Sequence, residues 1–108
     1  MHTEKDFDTV KDIILKDVPE AVEVILFGSY ANGTARENSD LDIIILLEKD
    51  YEWRERRVVL NRIYQHTARK GYLIDFLLKT KENFDQDKNI PTLSKVIAKE
   101  GRVLWTKT

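Results

Sequence analysis

Within sixteen residues, Gly28-Ser29-Tyr30-Ala31-Asn32-Gly33-Thr34-Ala35-Arg36-Glu37-Asn38-Ser39-Asp40-Leu41-Asp42-Ile43, the chain places a turn suited to phosphate beside two carboxylates. A glycine at the end of a strand lets the backbone come close to a ligand, and the turn that follows offers N–H groups and the Ser29 hydroxyl. The dipole of so short a turn is small, so the N–H donors carry the attraction. Arg36, between the turn and the acids, can add a bidentate guanidinium contact to phosphate. Side chains alternate along a strand, so Asp40 and Asp42 share a face with Cα atoms roughly 6.5 to 7 Å apart. Two such carboxylates suit hard cations, which prefer oxygen ligands. Without a cation they repel.

A third acid, Asp75, lies in Tyr72-Leu73-Ile74-Asp75-Phe76-Leu77-Leu78, a run apolar enough to predict burial of both faces. A carboxylate there is costly unless a cation or hydrogen-bond donors compensate it. A structural arginine would serve equally. If this strand lies beside the one carrying Asp42, Asp75 completes a cluster of three acids converging on one pocket opposite the Gly28–Ser29 turn. Such a site would hold a nucleoside triphosphate through divalent ions, magnesium being the expected metal. Two ions roughly 3.5 to 4 Å apart would stabilise the entering and leaving oxygens of an in-line displacement at phosphorus. The protein would supply position and charge, with Asp75 orienting or deprotonating an acceptor hydroxyl. The plainer alternative for Ser29, Asp40 and Asp42 is ordinary turn chemistry and a solvated strand start.

These residues need elements to position them. Thr3 with Asp6 three places on is a capping arrangement, and Phe7, Val10, Ile13 and Ile14 recur at helical spacing, which predicts a helix over 4–17 that Pro19 stops. Residues 22–27, apolar and β-branched, predict a first strand ending at Gly28. A short helical turn over 29–32 closed by Gly33 and a polar loop over 34–39 follow, and the second strand opens at Asp40 and runs to Leu47. Val59, Leu60, Ile63, Tyr64 and Thr67 mark one face of a helix over 51–70, which Gly71 ends. A third strand spans 72–78, a helical turn 81–84 and a polar loop 85–91. Leu93, Val96 and Ile97 mark a last helix ending at Gly101, with an edge strand over 103–105. The order αβαβαβα with a final β predicts an α/β (α+β) arrangement of helices around a small sheet, in one domain over 1–108.

Composition narrows the classes. A chain of 108 residues should bury roughly 65% of the surface its unfolded form exposes, enough for a core without staples. The absence of cysteine excludes a disulfide scaffold and thiolate zinc, and suits the cytoplasm. The longest apolar runs, 43–47 and 24–27, are too short to span a bilayer, and the N-terminus lacks a leader pattern, so no membrane role is expected. Net charge is −1, which makes nucleic acid an unlikely ligand. Charge is unevenly spread: residues 49–70 carry seven bases and three acids, an excess of four. That helix is either a contact surface or a solvated face with internal ion pairs. Trp53 and Trp105 are expected to pack, although a half-exposed Trp53 would suit a partner interface. His66 is given no role, and Tyr30 either neighbours the nucleotide or packs on the turn.

At the acids and the turn the chain resembles the nucleotidyltransferase superfamily that includes DNA polymerase β, and most closely its minimal nucleotidyltransferase (MNT) branch. The shared pattern is a hydrophobic residue, Gly-Ser, ten residues, Asp-x-Asp, and a third acid between apolar neighbours. Phe27, Gly28-Ser29, Tyr30 to Ser39, Asp40-Leu41-Asp42 and Ile74-Asp75-Phe76 match it throughout. The first helix and the closing Lys99-Glu100-Gly101-Arg102-Val103-Leu104-Trp105 also look like the family's ends. Many relatives carry a basic residue where this chain has Asn32.

The resemblance implies a nucleotidyltransferase-like fold with a mixed sheet backed by helices. It implies magnesium on Asp40, Asp42 and Asp75, and transfer of a nucleoside monophosphate to a hydroxyl with release of pyrophosphate. Relatives that modify antibiotics or RNA ends carry a second domain, so the size of this chain favours an acceptor supplied by another protein. The MNT branch is similar to antitoxins that pair with HEPN-type toxins, some of which add AMP to a toxin tyrosine. The resemblance therefore implies ATP as substrate and a HEPN-type partner. Two alternatives stand beside it: an antitoxin that works by occupancy alone, and a transferase acting on a small molecule or RNA.

Overall fold

In the computed structural model, which describes residues 1–108, nine elements surround one four-stranded sheet. They are α1 (Glu4–Asp17), β1 (Ala21–Phe27), α2 (Ser29–Asn32), β2 (Leu41–Leu47), α3 (Trp53–Arg69), β3 (Ile74–Thr80), α4 (Lys81–Asp87), α5 (Leu93–Glu100) and β4 (Arg102–Thr106). The strand order is β3-β2-β1-β4. β1 pairs antiparallel with β2 and β4, while β2 and β3 run parallel, with α3 as the crossover between them. The sheet is therefore mixed, as the resemblance implied.

Side-chain alternation along β2 divides the molecule. Leu41, Ile43, Ile45 and Leu47 face α1 and α3, where they join Phe7, Val10, Ile14, Val59 and Ile63 in the larger core. Val24 and Leu26 of β1, with Ile74, Phe76 and Leu78 of β3, complete that face. Ile44 and Leu46 point the other way, onto Ile25, Phe84 of α4 and Ile97 of α5. Each such side chain contributes about 1.5 to 3 kcal/mol on burial. Both layers are thus anchored on β2, whose only residue not fully buried is Asp42.

Most element ends fall within two residues of expectation, and the differences have causes. The Thr3 N–H donates to Asp6 Oδ2 at 2.8 Å, which fixes the start of α1. α4 continues to Asp87, beyond the expected turn, because the Thr80 hydroxyl caps it by accepting the Asn83 N–H at 3.1 Å and Phe84 roots it in the smaller core. Tyr64, expected on the buried face of α3, is 39% exposed, and its hydroxyl accepts the Phe76 N–H at 3.1 Å. Trp53, expected to pack, is 60% exposed, with the Arg54 guanidinium over its ring. It stands at the first position of α3, outside the stripe that Val59 and Ile63 bury. Trp105 does pack against the larger core.

β3 departs most from the sequence reading. Residues 72–78 were expected to be buried on both faces, yet Ile74, Phe76 and Leu78 are buried while Asp75 and Leu77 are exposed. β3 is an edge strand, and α4 begins only after it ends, so half of its outward face has no covering helix.

α5 and β4 meet at Gly101, where the chain runs too close to its neighbours for a side chain. A Cβ there would collide with the Ile97 carbonyl oxygen and stand 2.7 Å from Ile25 Cγ2. Gly101→Ala is expected to cost about 1 to 3 kcal/mol by overpacking, read as a lower urea midpoint with an unchanged slope.

Candidate active site

β1 delivers its last residue, Phe27, opposite Asp42 on β2. The chain then turns at Gly28, with φ 72° and ψ −151°, a conformation essentially restricted to glycine. The lack of a side chain has a second use here. A Cβ on Gly28 would collide with Asp42 Oδ2 and stand 3.1 Å from its Cγ, so the carboxylate occupies the space the glycine leaves. α2 follows directly, with the Gly28 carbonyl accepting the N–H groups of Ala31 and Asn32, both at 3.1 Å. The N–H groups at the head of such a turn have no partner within it.

The parallel ladder sets Asp75 directly beside Asp42. Both belong to the sheet face opposite α1 and α3, as their alternation with Ile43, Ile74 and Phe76 requires. Asp40, two residues before Asp42, lies just ahead of β2. Asp42 therefore has one acid beside it and another before it. Burial, then the Asp75 charge, then the Asp40 charge hold its carboxyl above the ordinary carboxylate pKa. None of the three acids forms an ion pair or accepts a side-chain hydrogen bond, although Lys and Arg pair with acids in many other places.

The reason sequence reasoning advanced for Asp75 fails, while its position agrees. Asp75 is exposed, so no burial cost demands a partner, and no arginine compensates it. The acids also do not share one enclosed pocket. Asp40 lines a cavity of about 250 Å³ with His2, Glu37, Asn38, Ser39, Gly71 and Leu73, whereas Asp42 and Asp75 line none and stand on an open face.

The donor set is all carboxylate, clustered and unneutralised, which fits a hard divalent cation. As the side chains lie, no three acids or histidines stand in finished metal-ligating geometry.

Ser29 is half-buried at the head of α2, and its hydroxyl bonds to no protein group. Arg36 is exposed and its guanidinium has no partner, so no contact draws it toward the acids. Its backbone is fixed, with the Arg36 N–H donating to Ser39 Oγ at 2.8 Å and the Ser39 N–H to the Arg36 carbonyl at 3.0 Å. Asn32 turns inward on its own loop, its Oδ1 accepting the Thr34 N–H at 3.1 Å and the Thr34 hydroxyl at 2.6 Å. Tyr30 packs edge-on against Phe7, and its hydroxyl accepts the His2 N–H at 3.2 Å. Sequence reasoning missed His2 beside Asp40. No local pattern joins position 2 to positions 37–40, 71 and 73, which only the fold brings together.

The fold is the nucleotidyltransferase fold. A toxin-antitoxin structure solved with AMP-PNP superposes with a TM-score of 0.67 at 19% identity, over 95% of this chain and 75% of that one. The tri-AMPylated Shewanella oneidensis HEPN toxin in complex with MNT antitoxin superposes with a TM-score of 0.58 at 16% identity, over 94% and 70%. The nucleotidyltransferase domain profile matches residues 8–104, and the chain belongs to that family. A Methanocaldococcus jannaschii protein bearing the provisional name protein adenylyltransferase is 31% identical over 83 residues, 77% of each chain. No helix is long and apolar enough to cross a membrane.

Proposed function

We propose that this nucleotidyltransferase moves AMP from ATP to a hydroxyl of a HEPN-type partner protein and thereby acts as the antitoxin of a pair. Asp40, Asp42 and Asp75 would hold magnesium, two ions being expected. Magnesium bound there would supply charge to the triphosphate and to the oxygens that enter and leave phosphorus. Gly28 and Ser29 present backbone N–H groups and a hydroxyl to the phosphates, and the unpaired Arg36 guanidinium adds its charge to them. Asp75, open to solvent on the edge strand, orients the acceptor hydroxyl and takes its proton. The acceptor oxygen forms a bond to the α-phosphorus, the bond from that phosphorus to the bridging oxygen breaks, and pyrophosphate leaves.

The observation that carries this reading is the Asp42 carboxylate, seated in the space above Gly28 beside two like charges and paired with no lysine or arginine. The relatives support its finer points: one is named for protein adenylyltransferase activity, and a structural neighbour is an AMP-modified toxin held by its antitoxin.

The test is transfer of label from α-³²P-ATP to a purified HEPN-type protein, with and without magnesium. Labelling that needs magnesium and disappears in Asp75→Asn supports the reading; undiminished labelling by Asp75→Asn overturns Asp75's role. One observation favours a second reading, neutralisation by occupancy alone: Trp53 and Val58 are 60% and 58% exposed on α3 beside Arg54 and Arg57, a surface suited to protein contact. That reading requires Asp42→Ala to neutralise the partner as well as the parent protein does.

A further inference from the structure

Behind the sheet, away from Asp42 and Asp75, the last turns of α1 and α3 enclose a second cavity of about 250 Å³. It is lined by Ile13, Lys16, Asp17, His66, Arg69 and Lys70. Lys16, Arg69 and Lys70 line it without an ion pair to any acid. The one acid in the lining is already engaged: Asp17 is 4% exposed, and its Oδ2 accepts from His66 Nδ1 at 2.6 Å. Arg62 adds a guanidinium contact to the Asp17 carbonyl at 3.5 Å.

We propose that this cavity is a second anion site that binds the phosphate group of a small molecule, separate from the nucleotide chemistry on the other face. Three solvent-exposed cations without ion pairs line a space large enough for phosphate or pyrophosphate. The acid that would oppose an anion is buried and spent on His66. Helix ends attract basic residues to complement their carbonyls, which accounts for Lys16 and Arg69 taken singly. It does not account for a carboxylate buried to fix the ring of His66. A carboxylate is acceptor-only, so His66 Nδ1 carries the proton in that bond and the ring is held with its other nitrogen, Nε2, free. A fixed imidazole among three cations is an arrangement for a phosphate oxygen or hydroxyl, in which charge and directed hydrogen bonds act together.

Free phosphate, released pyrophosphate and the phosphate of AMP share this chemistry, and three titrations distinguish them. The full chain, uniformly ¹⁵N-labelled, is titrated with inorganic phosphate, pyrophosphate and AMP against sodium chloride of equal ionic strength, with amide shifts followed residue by residue. Saturable shifts at residues 13–17 and 66–70 are expected with at least one of the three, with chloride producing none. Their affinity should fall at least tenfold in the exposed double variant Lys16→Gln/Arg69→Gln. Circular dichroism of that variant, and of His66→Gln, confirms that the fold is kept. Shifts confined to residues 28–42, shifts that chloride reproduces, or undiminished affinity in the double variant would each overturn the second site. Because the readout is resolved by residue, failure here leaves the proposed transferase site untouched, and failure there leaves this one.

Discussion

Asp42→Asn is expected to abolish nucleotidyl transfer and at the same time to make the protein more stable. Loss of the charge removes a ligand from the proposed cation site, so transfer should fall on the order of 10³-fold, as when a preorganised charge at a reacting phosphate is lost. The stability gain follows from the same carboxylate. Asp42 is held above the ordinary carboxylate pKa by burial and by Asp75 and Asp40, so its ionised form is less favourable folded than unfolded. The sign is therefore opposite to that of a salt-bridged acid. The destabilisation is absent below the unfolded pKa, grows as pH rises toward the raised folded pKa, and is complete above it. After allowance for solvent screening at this partly exposed site, Asp42→Asn should melt on the order of 1 to 3 °C higher at pH 7. The gap should close as pH falls toward about 4. Differential scanning calorimetry at pH 7, 5.5 and 4.5 measures it; a variant that melts lower at pH 7 would show that Asp42 stabilises the fold. Millimolar magnesium should raise the melting temperature of the parent protein and leave that of the variant nearly unchanged, since a cation bound only by the folded state stabilises it.

Gly28→Ala should damage both fold and site. The φ of 72° and ψ of −151° place Gly28 where a side chain costs about 1 to 3 kcal/mol. The added methyl also takes the space of the Asp42 carboxylate, which must swing away from the turn. Transfer should fall about 10²-fold or more, beyond what lower stability alone produces, because a displacement near 1 Å at a reacting centre is costly. The decisive comparison is at 10 °C, where the variant remains folded by circular dichroism. Full transfer by folded Gly28→Ala would mean that the closeness of Gly28 and Asp42 has no part in the chemistry.

The fold was legible where periodicity and punctuation agreed. The apolar stripe of α1 with its Thr3–Asp6 cap, the stop at Gly28 and the buried run of β2 all appear at the expected residues. The sequence sets Asp75 beside Asp42 only on the condition that the third strand lies next to the second, a condition the parallel ladder meets. What periodicity cannot supply is position in the sheet. Tyr72 to Leu78 has the apolar content of a central strand, yet β3 lies at an edge, which leaves Asp75 and Leu77 exposed. Contacts between distant segments were equally hidden. Asp17 and His66 lie on separate helices, and nothing near either residue marks their bond.

The alternation along β2 also polices how the strand pairs. A shift by a single residue would drive Asp42 into the hydrocarbon beneath α1 and α3 and turn Ile43 onto the opposite face. Misaligned chains would thus meet a heavy penalty at the first carboxylate they tried to bury. The acid proposed for the reaction also rejects wrong alignments while the protein is still assembling.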